Sequence, residues 1–315
     1  MAVDLAVVIV TWNVRALVLD ALRSLYADLA QSRLTAEVYV VDSASSDDSV
    51  SAVAAEFPQV KLIASQNNLG FGAANNLALK QIGFGAESQE LPKAVYLLNP
   101  DTITHLGATQ TLYDALFSNE RVGLVGANLT YGDGSFQHGA FGFPGLRQLW
   151  VEFFPTPGRH FESSFNGRYP RSAYQSEQRF PVDFVLGATM MLRREVIQQT
   201  GMFDEQFFMY CEEIDWAWRI HKAGWQVYTV PAAHVTHLGG QSTSQIRPQS
   251  LVNLWTSRLQ LFDKHYSPFK RLIARAMVKW GMRLKKRQLQ YIGLPEADRT
   301  AVAAAYQTIA EMASS

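Results

Sequence analysis

The sequence predicts an α/β fold: a mixed, mainly parallel β-sheet flanked by helices, with a helical tail at the C-terminal end. Three observations predict it. Short apolar runs rich in β-branched residues alternate with helical patterns through the first hundred residues, which is typical of βαβ units. These runs are continuously apolar, which indicates strands buried on both faces. Beyond about residue 250 the pattern is helical throughout.

Each element follows from its local pattern. Leu5–Val10 is a short β-branched run and predicts the first strand, and 16–29 follows with leucines at helical spacing. The further predicted strands are 37–41, 60–64, 94–98, 122–125 and 226–230, with regular structure also at 182–192. The further predicted helices are 45–57, 73–83, 106–117, 194–200 and 212–223.

Composition along the chain predicts two parts. Residues 1–250 form one α/β domain, and residues 251–315 form a basic amphipathic helical tail. Within the domain, 131–181 is rich in Gly, Pro, Phe, Arg and Ser and has no clear period. We interpret 131–181 as long loops that form a binding surface or lid.

The tail carries a strong charge pattern. No acid lies between Asp263 and Glu296, and 264–287 is rich in Lys and Arg. On a helical wheel one face is basic and the other apolar, the apolar face carrying Phe269, Ile273, Ala276, Trp280 and Leu284. Such a helix is typical of contact with an anionic membrane surface. The alternative is a helix docked on the domain with its basic face in solvent.

Charge and cysteine usage exclude several classes of protein. Among 315 residues, Lys+Arg and Asp+Glu both number 28, so no overall field favours nucleic acid. The single cysteine, Cys211, excludes an intramolecular disulfide and a cysteine-rich zinc site. The N-terminal residues include Asp4 and no basic region typical of a signal peptide. No run reaches the roughly 18–20 apolar residues of a spanning helix, so we expect a cytoplasmic protein.

Polar motifs follow the first four predicted strands. They are TWN at 11–13, DSASSD at 42–47, NNLGFGAANN at 67–76 and NPDT at 99–102. Because ligands of open α/β sheets bind at the carboxyl ends of the strands, we expect these motifs to line one site. A dinucleotide-binding fingerprint is disfavoured, since a third glycine is missing after Gly70 and Gly72 and the stretch follows the third strand.

Seven motifs in order resemble the family 2 glycosyltransferases, inverting enzymes of the GT-A fold, and most of all their rhamnosyltransferase-like branch. The motifs are VIVTWN, VVDSASSD, NNLGFGAANN, LLNPDT, GATMMLRRE, GMFDEQFFMYCEEIDWAWRIHKAGW and HVTHLGG. They span about residues 4–245. The resemblance implies a dTDP-, UDP- or GDP-sugar donor, a glycan or lipid-linked acceptor in surface polysaccharide synthesis, and Mg²⁺ or Mn²⁺. It also implies that 131–181 faces the acceptor.

The resemblance assigns donor and metal ligands by position. The implied nucleotide-sugar residues are Thr11, Trp12, Asn13, Asp42, Ser43, Gly70, Phe71, Asn99, Gly187 and Ala188. Asp101 matches the last acid of an Asp-x-Asp-type motif and is the implied metal ligand, with Asn99 in place of the first acid. His237 is the second implied metal ligand. His234 is its competitor, because the two side chains point in different directions if this segment is extended.

Three acids lie within FFMYCEEIDWAW at 207–218. The resemblance implies that Glu213, where relatives often carry aspartate, is the general base that deprotonates the acceptor hydroxyl. Glu212 lies at the predicted helix start, where an acid is favourable. Asp215 and Arg219 are four residues apart and are expected to form an ion pair.

The sequence disfavours three other functions. A glycosidase needs an acid and a base astride a glycosidic bond, and the nucleotide motifs disfavour it. A sugar nucleotidyltransferase should carry a glycine- and lysine-rich N-terminal signature, which VVIVTWNVR lacks. A catalytically weak protein that binds glycans or nucleotide sugars is disfavoured by the presence of Asp101, Glu213 and His237.

Overall fold

The computed structural model describes residues 3–86, 90–239, 247–291, 293 and 295–314. The chain divides into two compact units. The first comprises Met1–Phe141, Arg171–Gln206 and Glu212–Ser242, and the second comprises Gly142–Pro170, Phe207–Cys211 and Thr243–Ser315. The domain boundary at residue 250 stays a prediction.

The first unit is an α/β fold on a mixed sheet, which confirms the predicted class. The strands are β1 (Leu5–Thr11), β2 (Ala36–Ser43), β3 (Lys61–Ser65), β4 (Ala94–Leu98), β5 (Thr102–Thr104), β6 (Val122–Thr130), β7 (Phe136–Gln137), β8 (Ala140–Phe141), β9 (Phe180–Pro181), β10 (Phe184–Val185), β11 (Thr189–Arg193) and β12 (Gln226–His237). The helices of this unit are α1 (Arg15–Leu29), α2 (Ser49–Glu56), α3 (Gly70–Ile82), α4 (Ala108–Phe117), α6 (Arg171–Tyr174), α7 (Arg194–Thr200) and α8 (Glu212–Lys222).

The strands of the main sheet follow the order β3-β2-β1-β4-β11-β6-β12-β5. The pairs of β1 with β2 and β4, of β2 with β3, and of β6 with β12 are parallel. β7 and β9 add to β6 and β12, and β8 pairs with β10 in a second, two-stranded sheet. Every residue of β4 and all but one of β1 are buried or nearly so, as expected for continuously apolar central strands.

Two boundaries that position site residues differ from the prediction. α3 begins at Gly70, three residues before the predicted start, so Gly70 and Phe71 form its first turn rather than a loop. Gly70 has a φ of 74°, which favours glycine at this entry. β12 continues to His237, well beyond residue 230, because a bulge near 230–234 lets the strand pair onward with β6 and β5.

The second unit is mainly helical. Its helices are α5 (Leu146–Phe153), α9 (Arg247–His265), α10 (Pro268–Gln288) and α11 (Glu296–Met312). α5 lies within 131–181, so the prediction that this segment consists of loops is wrong at α5. The helix has only eight residues, about two turns, which is too short for a clear helical periodicity in the sequence. No helix within the described residues combines the length and the apolar character needed to cross a membrane.

α10 buries a different face from the one that the helical wheel marked as apolar. Its buried residues are Ala274, Val278, Gly281 and Met282. Gly281 permits this packing, because a Cβ at this position would overlap the ring of Phe153 in α5. The helix therefore packs through small side chains, and the wheel's apolar face does not form its core contact.

Candidate active site

Asp101 and His237 lie side by side at the end of the sheet. The Nε2 atom of His237 is 3.4 Å from Oδ1 of Asp101 and 3.4 Å from Nδ2 of Asn99. Asp101 and His237 are both buried, whereas His234 is exposed. The structure thus brings together Asn99, Asp101 and His237 and leaves His234 apart.

The register of the sheet places His237 beside Asp101. β12 pairs with β5 so that His237 is opposite Thr102, the residue after Asp101. The backbone N–H of Leu238 also donates to the carbonyl of Asp101 at 2.9 Å. Because side chains alternate along a strand, His237 faces Asp101 while its neighbour Thr236 turns away toward Thr130 and His105.

Gln137 is a residue of this site that the sequence did not reveal. Its Oε1 is 3.2 Å from Nδ1 of His237, and the side chain is buried. An amide oxygen can only accept, so Nδ1 carries the ring proton and the Nε2 lone pair accepts from Nδ2 of Asn99, beside Oδ1 of Asp101. Gln137 lies in β7, a strand of two residues within 131–181, and so short a strand has no periodicity to detect.

The donor atoms near His237 fit a divalent cation. Carboxylate and imidazole are suitable ligands for Mn²⁺, and neighbouring ligands of one ion lie about 3 Å apart, close to the observed 3.4 Å. Among the residues that the structure describes, no three or more His, Cys, Asp or Glu side chains are arranged so that they could hold a metal ion. A bound ion would therefore take its other ligands from the substrate and water, as Mg²⁺ commonly does.

Two buried oxygens at the ends of β1 and β2 lack partners. Oδ2 of Asp42 accepts from the backbone N–H of Ser45 at 2.9 Å, but Oδ1 has no hydrogen-bond partner in the described chain. Oγ1 of Thr11, opposite Asp42 in the parallel pair, is also unpartnered. Because buried polar atoms are rarely left unpaired, these two oxygens are available for a ligand.

The neighbouring motif residues have structural contacts. Asn13 has a left-handed φ of 53°, and its Oδ1 accepts from the backbone N–H of Ser46 at 2.7 Å. The hydroxyl oxygen of Ser43 accepts from the backbone N–H of Leu69 at 3.1 Å. Trp12 is partly buried. Asn13 and Ser43 therefore shape the loops beside Asp42, which their position in the motifs alone did not indicate.

Gly187, Phe71 and Glu213 converge from three different elements. A Cβ at Gly187 would lie 3.7 Å from Cε1 of Phe71 and 3.9 Å from Cβ of Glu213. The carbonyl of the next residue, Ala188, accepts from the backbone N–H of Asn99 at 3.0 Å. Gly187 and Ala188 thus lie between Glu213 of α8 and Asn99, the residue that follows β4.

The two adjacent acids at the start of α8 have raised pKa values. Burial raises the pKa of Glu213 to about 7. Burial, and then the neighbouring Glu213 carboxylate, raise the pKa of Glu212 well above its ordinary value. Glu212 is fully buried and its Oε2 has no partner in the described chain, whereas Glu213 keeps partial contact with solvent. Glu213 is thus poised to exchange a proton near neutral pH.

The third acid has a structural role, as expected. Oδ2 of Asp215 accepts from Nε of Arg219 at 2.9 Å, which confirms the predicted i,i+4 pair. Arg219 also donates to the backbone carbonyls of Thr200 and Met202. Because Asp215 is fully buried, this pair holds α8 against the end of α7 rather than taking part in chemistry.

These features define a glycosyltransferase of the GT-A class. The chain belongs to the glycosyltransferase-like family 2, whose model matches residues 3–253. It is 30% identical over 255 residues to an N-acetylglucosaminyl-diphospho-decaprenol L-rhamnosyltransferase of Mycobacterium tuberculosis, covering 78% of this chain and 79% of the relative. It is 24% identical over 274 residues to the low-salt glycan biosynthesis hexosyltransferase Agl10 of Haloferax volcanii, covering 86% and 78%.

Solved structures share the fold. The mannosyltransferase PcManGT of Pyrobaculum calidifontis, in complex with GDP-Man and Mn²⁺, superposes with a TM-score of 0.55 at 19% identity, covering 100% of this chain and 85% of its own. GalNAc-T7, with UDP, GalNAc and Mn²⁺, superposes with a TM-score of 0.59 at 14% identity, covering 98% and 56%. The predicted GT-A fold and family are thereby confirmed.

Proposed function

We propose that the chain is a metal-dependent, inverting glycosyltransferase that moves a sugar, rhamnose being our first candidate, from a nucleotide diphosphate to a lipid-linked or glycan acceptor. The observation that carries this proposal is the convergence of Glu213, Phe71 and Gly187, connected through Ala188 to the Asn99, Asp101 and His237 cluster. An inverting transfer needs an acid–base group and a leaving-group site in one place, and this arrangement supports assigning these two roles to Glu213 and to the Asp101 and His237 pair.

Glu213 is the proposed general base. Its raised pKa makes the carboxylate a better proton acceptor while leaving about half of it ionised near pH 7. The carboxylate takes the proton of the acceptor hydroxyl as the oxygen attacks the anomeric carbon. The bond from that carbon to the diphosphate breaks on the opposite face, so the nucleoside diphosphate leaves and the anomeric configuration inverts.

Asp101 and His237 are the proposed metal ligands, and Asn99 lies beside them. A bound Mg²⁺ or Mn²⁺ would neutralise the charge of the diphosphate leaving group. The chain's own contribution is to hold the two ligands in a fixed register and to keep His237 in the tautomer in which Nε2 carries a lone pair.

Asp42 and Thr11 are the proposed contacts to the nucleotide. The unpartnered Oδ1 of Asp42 can accept from a base N–H or a ribose hydroxyl. Gly187 leaves the space between Phe71 and Glu213 open, which supports its proposed role in letting the donor sugar approach. The roles of Trp12, Gly70 and Ala188 in donor binding remain part of the proposal.

The name of one relative supports the class of acceptor. The Mycobacterium relative is named for an acceptor on decaprenyl diphosphate. We propose that this chain likewise acts on a lipid-linked acceptor in surface polysaccharide synthesis, working as a peripheral protein at the inner membrane face.

A donor screen tests the proposal. Purified chain is incubated with UDP-, GDP- and dTDP-sugars and Mn²⁺ or Mg²⁺, and nucleoside diphosphate release is measured by mass spectrometry. We expect metal-dependent hydrolysis or transfer with one donor, and an inverted anomeric configuration in the product by NMR. Absence of both binding and hydrolysis across the panel would overturn the proposal and favour a protein that only binds glycans.

A further inference from the structure

α10 presents a second, unpartnered face opposite the one that packs. Ala274 and Val278, on the packed face, are about half a turn around the helix from Phe269 and Trp280. Phe269 is 73% exposed and Trp280 is 60% exposed. The helix therefore has its core contact on one side and large apolar side chains in solvent on the other.

Four large apolar side chains on α10 and in the turn after it are exposed, and we call them the aromatic stripe: Phe269, Leu272, Trp280 and Tyr291. Leu272 is 66% exposed, and Tyr291, in the 3-10 turn that follows α10, is 82% exposed. Single exposed apolar residues are common, but four large ones on one helix and the turn that follows it mark a contact surface.

Positive charge lies beside the aromatic stripe, and acids pair with only part of it. Arg275 pairs with Asp263 at 2.7 Å and Lys285 approaches Glu152 at 3.8 Å. Within the described residues, by contrast, no ion pair joins Lys279, Arg283 or Arg287 to a carboxylate. The cations nearest the stripe thus keep their charge uncompensated.

Arg283 directly flanks the stripe. Its guanidinium lies 5.8 Å from the centre of the Trp280 ring. On the helical wheel, Arg287 lies within about 20° of Trp280 and Arg283 lies about 60° from it. A tryptophan beside arginines, on a helix without acids, is the composition of helices that lie in the headgroup region of anionic membranes.

We propose that the aromatic stripe and the three cations Lys279, Arg283 and Arg287 form the surface through which the chain binds an anionic lipid bilayer. The choice of a bilayer rests on the proposed function, whose acceptor is lipid-linked. The charge of the surface supports it independently: a second copy of the chain would bring the same positive face against itself and be repelled. Phosphate-bearing lipids complement it.

The test is flotation of the full chain with vesicles of phosphatidylcholine, with and without phosphatidylglycerol. We expect binding to the anionic vesicles that weakens with added salt. Trp280→Ala should lower vesicle affinity by about tenfold, because its ring leaves water on binding. Arg283→Ala should lower it by about fivefold, the effect of one charge near an anionic surface.

Matched controls come from the first unit. Leu106 is 61% exposed, close to the 66% of Leu272, so Leu106→Ala is compared with Leu272→Ala. Arg33→Ala removes the same charge as Arg283→Ala, and the Arg33 side chain is also exposed, at 86%. We expect both controls to bind vesicles as the unaltered chain does. Circular dichroism establishes that each variant is folded.

Three outcomes would overturn the inference: no flotation with anionic vesicles, equal binding by the stripe variants and their controls, or a change in molar mass of Trp280→Ala by light scattering with unchanged vesicle binding. The last would identify a contact between two copies. Donor hydrolysis is measured separately without lipid. Vesicle binding without hydrolysis would count against the proposed function alone, and hydrolysis without vesicle binding against this inference alone.

Discussion

Gln137 and His237 are joined by a contact of 3.2 Å between Oε1 and Nδ1, although they lie a hundred residues apart. This contact selects the tautomer of the proposed metal ligand. Gln137→Leu should therefore weaken Mn²⁺ binding by about tenfold, the usual cost of losing a partner of a ligating histidine. Calorimetric titration of Mn²⁺ in the absence of donor measures it.

The control for that variant is Gln81→Leu, which makes the same change at an exposed position of α3. Gln137→Glu keeps an acceptor opposite Nδ1, so we expect it to retain more Mn²⁺ affinity than Gln137→Leu. Equal Mn²⁺ affinity in all three variants would remove Gln137 from the site.

Glu213→Gln tests the proposed base. The amide cannot accept the proton of the acceptor hydroxyl, so transfer should be lost while the donor Kd stays unchanged. In the unaltered enzyme, kcat/KM should rise with pH and level off above about 7, because burial sets the pKa of Glu213 there. Below that pH it should fall about tenfold per unit. A flat profile would assign the base to another group.

Glu212→Gln tests the buried acid beside it. A carboxyl group whose pKa is raised on folding holds more protons in the folded than in the unfolded state, so stability falls as pH rises from about 4.5. The neutral amide removes this penalty. We expect a higher Tm than the unaltered protein at about pH 8 and no gain at about pH 4.

The control for the stability measurement is Glu120→Gln, at an exposed position. It should leave Tm unchanged at both pH values. If Glu212→Gln lowers Tm at alkaline pH, Glu212 is charged and satisfied in the folded state.

Asp42→Asn tests the nucleotide contact. The amide oxygen can still accept from the N–H of Ser45, but an NH₂ group then replaces the unpartnered Oδ1. The N–H of the new amide would then face an N–H or O–H of the nucleotide, and two hydrogen-bond donors repel each other. The Kd for the nucleotide should therefore rise by about tenfold or more. Equilibrium dialysis with the nucleoside diphosphate measures it. An unchanged Kd would exclude Asp42 from base and ribose recognition.

Gly281→Val tests the packing of α10. A side chain at 281 would overlap the ring of Phe153, so the variant should lose about 1–3 kcal/mol of stability. Ala276→Val is the matched control, since Ala276 is exposed on the opposite side of the same helix. Urea unfolding followed by circular dichroism compares them, and equal loss in both would show that β-branching alone is responsible.

The local elements were largely predictable, and the long-range contacts were not. Ala94–Leu98 and Arg194–Thr200 match their predicted bounds, because apolar runs and helical periodicity are local properties of the sequence. The Asp215–Arg219 pair was equally predictable, as it spans one helical turn.

The sequence pattern did not predict the role of Gln137 or the packed face of α10, because both depend on tertiary contacts. The wheel marked the face of Phe269 and Trp280 as apolar, but Gly281 carries no hydrophobic signal although it permits the close contact with Phe153. Gln137 gains its role from a pairing with β6 that is set by tertiary structure. The alternation of side chains along an ideal strand does not decide between His234 and His237, because a bulge in β12 changes which side chains face the site.

The pairing of β12 with β5 would make binding of the proposed cation depend on folding of the chain. Asp101 and His237 meet through the strand at the end of the sheet order, and an unfolded chain holds them far apart in sequence. An ion that needs both ligands binds the folded chain and not the unfolded one, so it shifts the unfolding equilibrium by mass action. Saturation with Mn²⁺ at about a hundred times its Kd corresponds to about 2.7 kcal/mol of added stability. The dependence of Tm on the Mn²⁺ concentration would then give the affinity of the site, even before a substrate has been identified.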